Sequence, residues 1–435
     1  VAEGFGEDLA AALGKVPWIR VVSRIGASGY KGQGNIDPRA TGKALGAKYL
    51  VMGSFRTIDG RQSLLIQLVS TRDDFQVWSD QFDRPADLAA LRDQIAATIG
   101  DSLRAMAGQA AQGQSVIATR AHRGSPDAYN LYLIGKQKLN RRGPGVGSSI
   151  ALFREAITLD SLEADAWSGL SLALALSPYF LGIPADSAAA DATAAARRAL
   201  SLDSTLAEPH TALGLVLSHR RQWQAAGAEF RTAIALDSHD VEARIQYARY
   251  LHTTSRLAEA DQQLALAQAD DPASAVVASL SAESGLLLGN LDSAGAQSDR
   301  ALRIDSLNLT TIVFGGMTRI RQGRPLEARK MAMAAPPYFP EVVWILAASG
   351  DRSTARERIA FLAAEDPPRW LGLTAIAFGS LALGDTARAL DALERALAAN
   401  EIWPNLEPPL SHIYDSVRRS GRFRALLTRA GLRER

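Results

Sequence analysis

The chain contains no cysteine in 435 residues, so it has neither disulfides nor thiolate metal sites. That absence suits an oxidising compartment as well as a reducing one and does not locate the protein. Long hydrophobic runs are missing too: no stretch reaches the roughly 18 apolar residues of a membrane span. No positively charged leader precedes an apolar core. Aromatic residues make up only 6%, and neither sign of charge dominates, with 48 Lys and Arg against 46 Asp and Glu. Without a basic face to displace counterions, no nucleic-acid partner is expected. What is present, 47% hydrophobic and 22% charged residues, is the composition of an ordinary globular chain. The length suggests two or three domains. The chain begins at Val1 in "VAEGFGEDLAAALG", which reads as loop then helix. The expectation is a fragment, with any targeting or membrane segment lying upstream and any membrane attachment made through that absent part.

Residues 1–107 alternate strand and helix patterns. "WIRVVSR" (18–24) is β-branched with a period of two, and "GYKGQGN" (29–35) reads as a loop. Asp37-Pro38 supplies a helix start, the carboxylate capping free N–H groups and proline fitting the first turn. "AKYLVMGSF" (47–55) and "SLLIQLVS" (63–70) are strands joined through Asp59-Gly60, a hairpin signal, and "FQVWSDQF" (75–82) is a third. After Pro85, Leu88, Leu91, Ile95, Ile99 and Leu103 form one helical stripe suited to covering the sheet. Residues 108–126 lack periodicity and read as a linker. From Asp127 to residue 435 the pattern is helical and rich in alanine.

A repeat organises that second region. Asp203, Asp237, Asp271 and Asp305 stand 34 residues apart, each closing one helix before a short turn into the next. Counting from Ala207, Leu213 and Gly214 fall at positions 7 and 8, and Ala226, Phe230 and Ala233 at 20, 24 and 27. The repeat from Val241 keeps Ala248, Ala260, Leu264 and Ala267, and the one from Ala275 keeps Ala282, Ala294 and Ala301 with Ser298 at the aromatic position. The repeat from Leu309 is shortened to about 27 residues. The one from Pro336 has lost its glycine-position signature, and Trp370 opens another. Upstream, Phe153 and Ala156 are in register, and 43 residues separate Asp160 from Asp203, one repeat plus nine. The excess falls in "SPYFLGIPADS" (177–187), a proline-containing insertion.

This spacing of small and aromatic positions resembles the tetratricopeptide repeat. The first region resembles the TolB amino-terminal-like domain through Tyr49-Leu50-Val51, Gly53-Ser54-Phe55-Arg56, Gln67-Leu68 and "VWSDQFDR" (77–84). "SHIYDSVRRSGRFRALLTRAGL" (411–432) resembles the tail that closes such arrays. The first strand of that domain would precede Val1. The resemblance implies a small α/β domain followed by an all-α solenoid, a right-handed superhelix of about eight helix pairs. It also implies a bacterial signalling protein whose upstream module is a nucleotide cyclase, a winged-helix domain or a Ser/Thr kinase, and places this region on the periplasmic or extracytoplasmic side.

Motifs for chemistry are scarce. The six histidines, His122, His210, His219, His239, His252 and His412, include no i, i+4 pair with an intervening Glu, so they read as surface or groove side chains. "GPGVGSS" (143–149) lacks the lysine of a phosphate loop and follows a helix, so it reads as an inter-helix loop. "GYKGQG" (29–34) has its glycines in the wrong order for a dinucleotide fingerprint. No catalytic residue, cofactor or metal is expected, and the chain is read as no enzyme.

The surface is where function is expected, because stacked helix pairs leave a concave face lined by the first helix of each repeat. By analogy with the tetratricopeptide family, positions 2, 5, 9, 12 and 13 project there and include Glu208, Thr211, His219, Arg249, His252 and Glu283 as candidate partner-binding residues. A protein or peptide partner, or a second copy of the chain, is expected on that face. The alternative is a freestanding envelope assembly subunit that tethers a larger complex. A hydrolase built on the first domain is a third reading without a residue to carry it.

Overall fold

The computed structural model describes residues 2–14, 19, 21, 36–58, 61–83, 88–107, 125–140, 142–365, 371–401, 408 and 411–432. The first region contains α1 (Ala2–Gly14), α2 (Pro38–Leu45), β1 (Tyr49–Ile58), β2 (Arg61–Ser70), β3 (Gln76–Asp83) and α3 (Leu88–Ala107). The strands form an antiparallel sheet in the order β1-β2-β3. Ile58 pairs with Arg61, so two residues connect the first hairpin, as Asp59-Gly60 required. Along β2, Leu64, Ile66 and Leu68 alternate onto the buried face. The stripe on α3 is buried at Leu88, Leu91, Ile95 and Ile99. Asp37 caps α2 as expected, its carboxylate accepting from the N–H groups of Arg39 at 2.9 Å and Ala40 at 3.1 Å. The opening stretch is helical from Ala2, without the expected loop. The strand expected at 18–24 lies outside the described residues except for Ile19 and Val21, which are in no strand, and the 29–35 loop and most of the 108–126 linker lie outside them too.

Eight antiparallel helix pairs follow, in agreement with the repeat count: α4 (Pro126–Asn140) with α5 (Gly145–Leu159), α6 (Ala164–Leu181) with α7 (Ala185–Leu202), α8 (Glu208–His219) with α9 (Trp223–Leu236), and α10 (Val241–Thr253) with α11 (Leu257–Asp270). Then come α12 (Ala275–Leu287) with α13 (Leu291–Ile304), α14 (Leu309–Arg321) with α15 (Pro325–Met333), α16 (Pro340–Ala348) with α17 (Arg352–Ala363), and α18 (Gly372–Leu383) with α19 (Thr386–Ala398). A 3₁₀ turn (His412–Tyr414) and α20 (Gly421–Arg429) end the chain.

The recurring aspartates close each repeat by one mechanism. The backbone N–H of Asp160, Asp203, Asp237 and Asp305 completes its helix by bonding the carbonyl of Ala156, Ala199, Ala233 and Ala301. The carboxylate then turns forward to accept the N–H two residues on: Leu162, Thr205, His239 and Leu307, all near 3 Å. An Asx turn of this kind lets the chain leave one helix and enter the next within a few residues. The turns inside the pairs have their own period: Arg221, Ser255, Gly289 and Gly323 share positive φ between 57° and 73°. A left-handed conformation costs a side-chain-bearing residue about 1–2 kcal/mol. Ser255→Gly is therefore expected to stabilise the chain by about 0.5–1 kcal/mol, after the entropy of glycine in the unfolded chain is set against it, and so to raise its urea midpoint.

Small residues let the helices cross closely. Ala156, Ala226, Ala233, Ala260, Ala267 and Ala294 are fully buried. Phe153 fills the junction of two pairs: a Cβ on Gly135 or on Gly169 would each stand 2.6 Å from its ring. Three details refine the sequence reading. The 177–187 insertion lengthens α6 and α7 to 18 residues each, with Pro178 inside α6 and residues 182–184 joining the two helices. "GPGVGSS" is a turn only at its start and helical from Gly145. The shortened repeat closes with α15, only nine residues long, and α16, which opens the next repeat, is nine residues as well.

The chain divides into two compact units. One holds residues 1–173 with 197–205 and 270–273, and the other the remainder. The first unit thus includes the α/β region and the pair α4/α5, where the sequence boundary separated them. Inside it, Asp8 of α1 accepts from the hydroxyls of Tyr129 and Tyr132 on α4 and lies 3.5 Å from Arg92 of α3. Inside the second unit, the last elements return to earlier ones. Arg221 donates to Asn400 at 2.9 Å, Trp223 Nε1 to the Ala430 carbonyl at 2.8 Å, and His412 Nε2 to the Leu286 carbonyl at 3.0 Å.

Candidate interaction site

In the second unit the two helices of a pair are buried differently. Second helices bury one stripe, as α9 does through Ala226, Gly227, Phe230 and Ala233. First helices are buried nearly all round: α10 buries ten of its 13 residues, among them Arg244, Gln246, His252 and Thr253. A helix apolar on one side and polar on the other would face water; these first helices instead enclose polar side chains, and the question is what those side chains bond.

Two groups emerge. On α8, Thr211 and Ser218 are buried and their hydroxyl oxygens have no hydrogen-bond partner. His219, at the end of the same helix, is buried and bonded to the hydroxyl of Tyr179 from the lengthened α6, their rings 5.2 Å apart. Burial pushes the His219 imidazole down to about 4, so it is neutral at physiological pH. On α10 and α12, His252 places Nδ1 3.2 Å from a Glu283 carboxylate oxygen and Nε2 2.6 Å from the Ser284 hydroxyl. Next to them in electrostatic reach stand Arg249, whose Nε lacks a partner, and Glu341 of α16, whose Oε2 lacks one.

The six candidate residues are therefore placed as follows. Arg249, His252 and Glu283 are brought together. Thr211 and His219 belong to α8, and His219 is bonded elsewhere, to Tyr179. Glu208 is half-buried in the first turn of α8. Histidines 219 and 252, read as surface or groove side chains, are buried and hydrogen-bonded; the repeat register placed them on the inner helices but could not show how tightly those helices close. Tyr179 and Glu341 were not expected. Tyr179 lies in the insertion and Glu341 in the repeat from Pro336, which follows the shortened one and has lost its glycine-position signature; the signal for Glu341 is the proline-led helix start in "YFPEVVW".

Among the described residues, no group of three or more His, Asp or Glu could hold a metal ion, and no helix is long and apolar enough to cross a membrane. The fold defines a helical-repeat protein: a small α/β region followed by eight helix pairs in tetratricopeptide-like register. No family model matches the chain. Among curated proteins it is similar to "Putative adenylate cyclase 3" of Rhizobium meliloti (strain 1021), 26% identical over 230 residues. The match covers 52% of this chain and 38% of that protein, so the chain spans well under half the length of this relative. Among solved structures it is similar to PilF of Pseudomonas aeruginosa, with a TM-score of 0.37 and 20% identity, covering 46% of this chain and 91% of that one. It is also similar to PilW, described as a widely conserved type IV pilus biogenesis factor, with a TM-score of 0.38 and 18% identity, covering 50% of this chain and 98% of that one.

Proposed function

We propose that this chain is a non-enzymatic interaction region, the sensor or scaffold part of a bacterial signalling protein, and that it holds a protein or peptide partner through the first helices of its pairs. The observation that carries the reading is that the first helices hold polar and charged side chains, Glu208 and Arg249 half-buried and Thr211, His219, His252 and Glu283 buried. The similarity to the Rhizobium protein named as a putative adenylate cyclase supports the signalling context. The proposal extends to the TolB-like character of the first region and to an extracytoplasmic location.

The test uses Glu208→Lys combined with Arg249→Gln, two half-buried inner positions. Affinity capture from the source bacterium, read by quantitative mass spectrometry, is expected to lose the partner at least tenfold while the far-ultraviolet circular dichroism is unchanged. Full capture by the double variant would move the interface off the inner helices.

A further inference from the structure

In an open array each helix pair touches only its neighbours, so the last pair would not reach the third. In the second unit it does. Arg221, in the turn between α8 and α9, donates to the Leu397 carbonyl at 3.3 Å and to Asn400 Oδ1 at 2.9 Å. Asn400 Nδ2 in turn lies 3.5 Å from Asp186 at the start of α7. The closing segment, residues 411–432, continues the crossing. Trp223 Nε1 donates to the Ala430 carbonyl at 2.8 Å, beside Gly431, where a Cβ would stand 3.2 Å from the same nitrogen. His412 Nε2 donates to the Leu286 carbonyl in the last turn of α12, and the Asp415 carboxylate lies 3.9 Å from Arg321 at the end of α14.

The two sides of this segment are held differently. On the eighth pair it is fastened by a buried apolar cluster: the Tyr414 ring lies 5.0 Å from Phe423 and 5.7 Å from Phe378 of α18, and all three are buried. Arg422 adds bonds to Asp391 and Glu394 of α19. On the far side it is held by single hydrogen bonds and a half-exposed ion pair, contacts of small net strength because water replaces each of them. A segment fastened along one side and lightly held along the other can lift without leaving. It crosses where the first helices end, and there Ser218 and His219 of α8 and His252 and Thr253 of α10 are buried.

We propose that residues 411–432, with the corner at Asn400, form a latch: fastened on the eighth pair, it holds the ends of the first helices shut and lifts to admit a partner. That purpose rests on the partner reading above, whereas the latch itself is measured with no partner present, so the two fail separately.

The full chain has no cysteine, so one introduced thiol is the only one that reacts. Ser218→Cys places it at the shut end of α8, where the replaced hydroxyl has no hydrogen bond to lose. Ser298→Cys is the control, also 1% exposed and unbonded, on the second helix α13. The latch is released by Arg221→Asn with Trp223→Phe. Asparagine tolerates the φ of 57° at 221, and phenylalanine keeps an aromatic ring beside Tyr250 while losing the N–H. The probe is an aromatic disulfide reagent, read by release of its coloured thiolate under native conditions. In the released background the Ser218→Cys thiol is expected to react about tenfold faster or more, while the Ser298→Cys thiol changes less than about twofold. Equal rates for Ser218→Cys in the two backgrounds overturn the proposal. A parallel rise at Ser298→Cys overturns it too, since the contacts would then brace the whole unit. If that release variant does not fold, His412→Ala with Asp415→Ala releases the latch from the tail side, leaving α8 and α9 untouched. It carries the same expectation and the same refutation.

Discussion

Phe230→Ala is expected to destabilise the second unit by about 3–5 kcal/mol, the cost of emptying a large aromatic site in a packed interior. The ring is fully buried at position 24 of its repeat, with the Tyr247 and Tyr250 rings 5.9 and 5.7 Å away. Its nearest constraint is Gly214, where a Cβ would stand 2.7 Å from the ring. Gly214→Val is therefore destabilising as well, because the tyrosines leave the ring no room to move aside. The two substitutions are expected to be coupled: once the ring is gone the valine has space, so the double variant loses about 1–3 kcal/mol less than the sum of the singles. Urea unfolding followed by circular dichroism measures all three. Additive effects would mean that positions 8 and 24 do not meet and that the repeat register is wrong.

Asp8→Ala is expected to cost the first unit about 3 kcal/mol, because removing one partner of a buried ion pair strands the other. The substitution leaves Arg92 and the hydroxyls of Tyr129 and Tyr132 without their shared acceptor where α1 and α3 meet α4. Arg92 keeps Asp93 at 2.7 Å and its place 5.8 Å from the centre of the Tyr129 ring, which limits the loss. Asp8→Asn separates charge from shape. Burial and then Asp165 push Asp8 up from 3.8 to about 6 against Arg92, Tyr129 and Lys136. Its contribution to stability is therefore complete below about pH 4 and falls as pH rises through about 6. The asparagine variant is expected to lose that part of the pH dependence in thermal unfolding of the full chain. An unaltered profile would show that Asp8 does not titrate in the folded protein.

The architecture was legible because its signals are local and periodic. Asp37-Pro38 caps a helix wherever it stands, Asp59-Gly60 sets a hairpin, and the aspartates at 34-residue intervals bond their own backbone two residues on. A second period, the left-handed turn at Arg221, Ser255, Gly289 and Gly323, was present in the sequence but hidden, since only two of the four are glycine. The interior of the site was less legible because it depends on contacts between distant repeats. Periodicity places His219 and His252 on first helices; it cannot say that an insertion 40 residues upstream of His219 supplies Tyr179, or that the repeat from Pro336 sets Glu341 within electrostatic reach of Glu283. The return of Ala430 to Trp223 joins residues 207 positions apart and has no local signature.

The central claim is that the first helices of the pairs form the working surface of this protein. Site-specific photo-cross-linking tests it most directly, with a benzophenone side chain placed in turn at Glu208 and Arg249 on first helices and at Gln262 and Arg303, exposed on second helices. The account predicts partner adducts from the first two positions and none from the others. Adducts confined to Gln262 or Arg303 would contradict it.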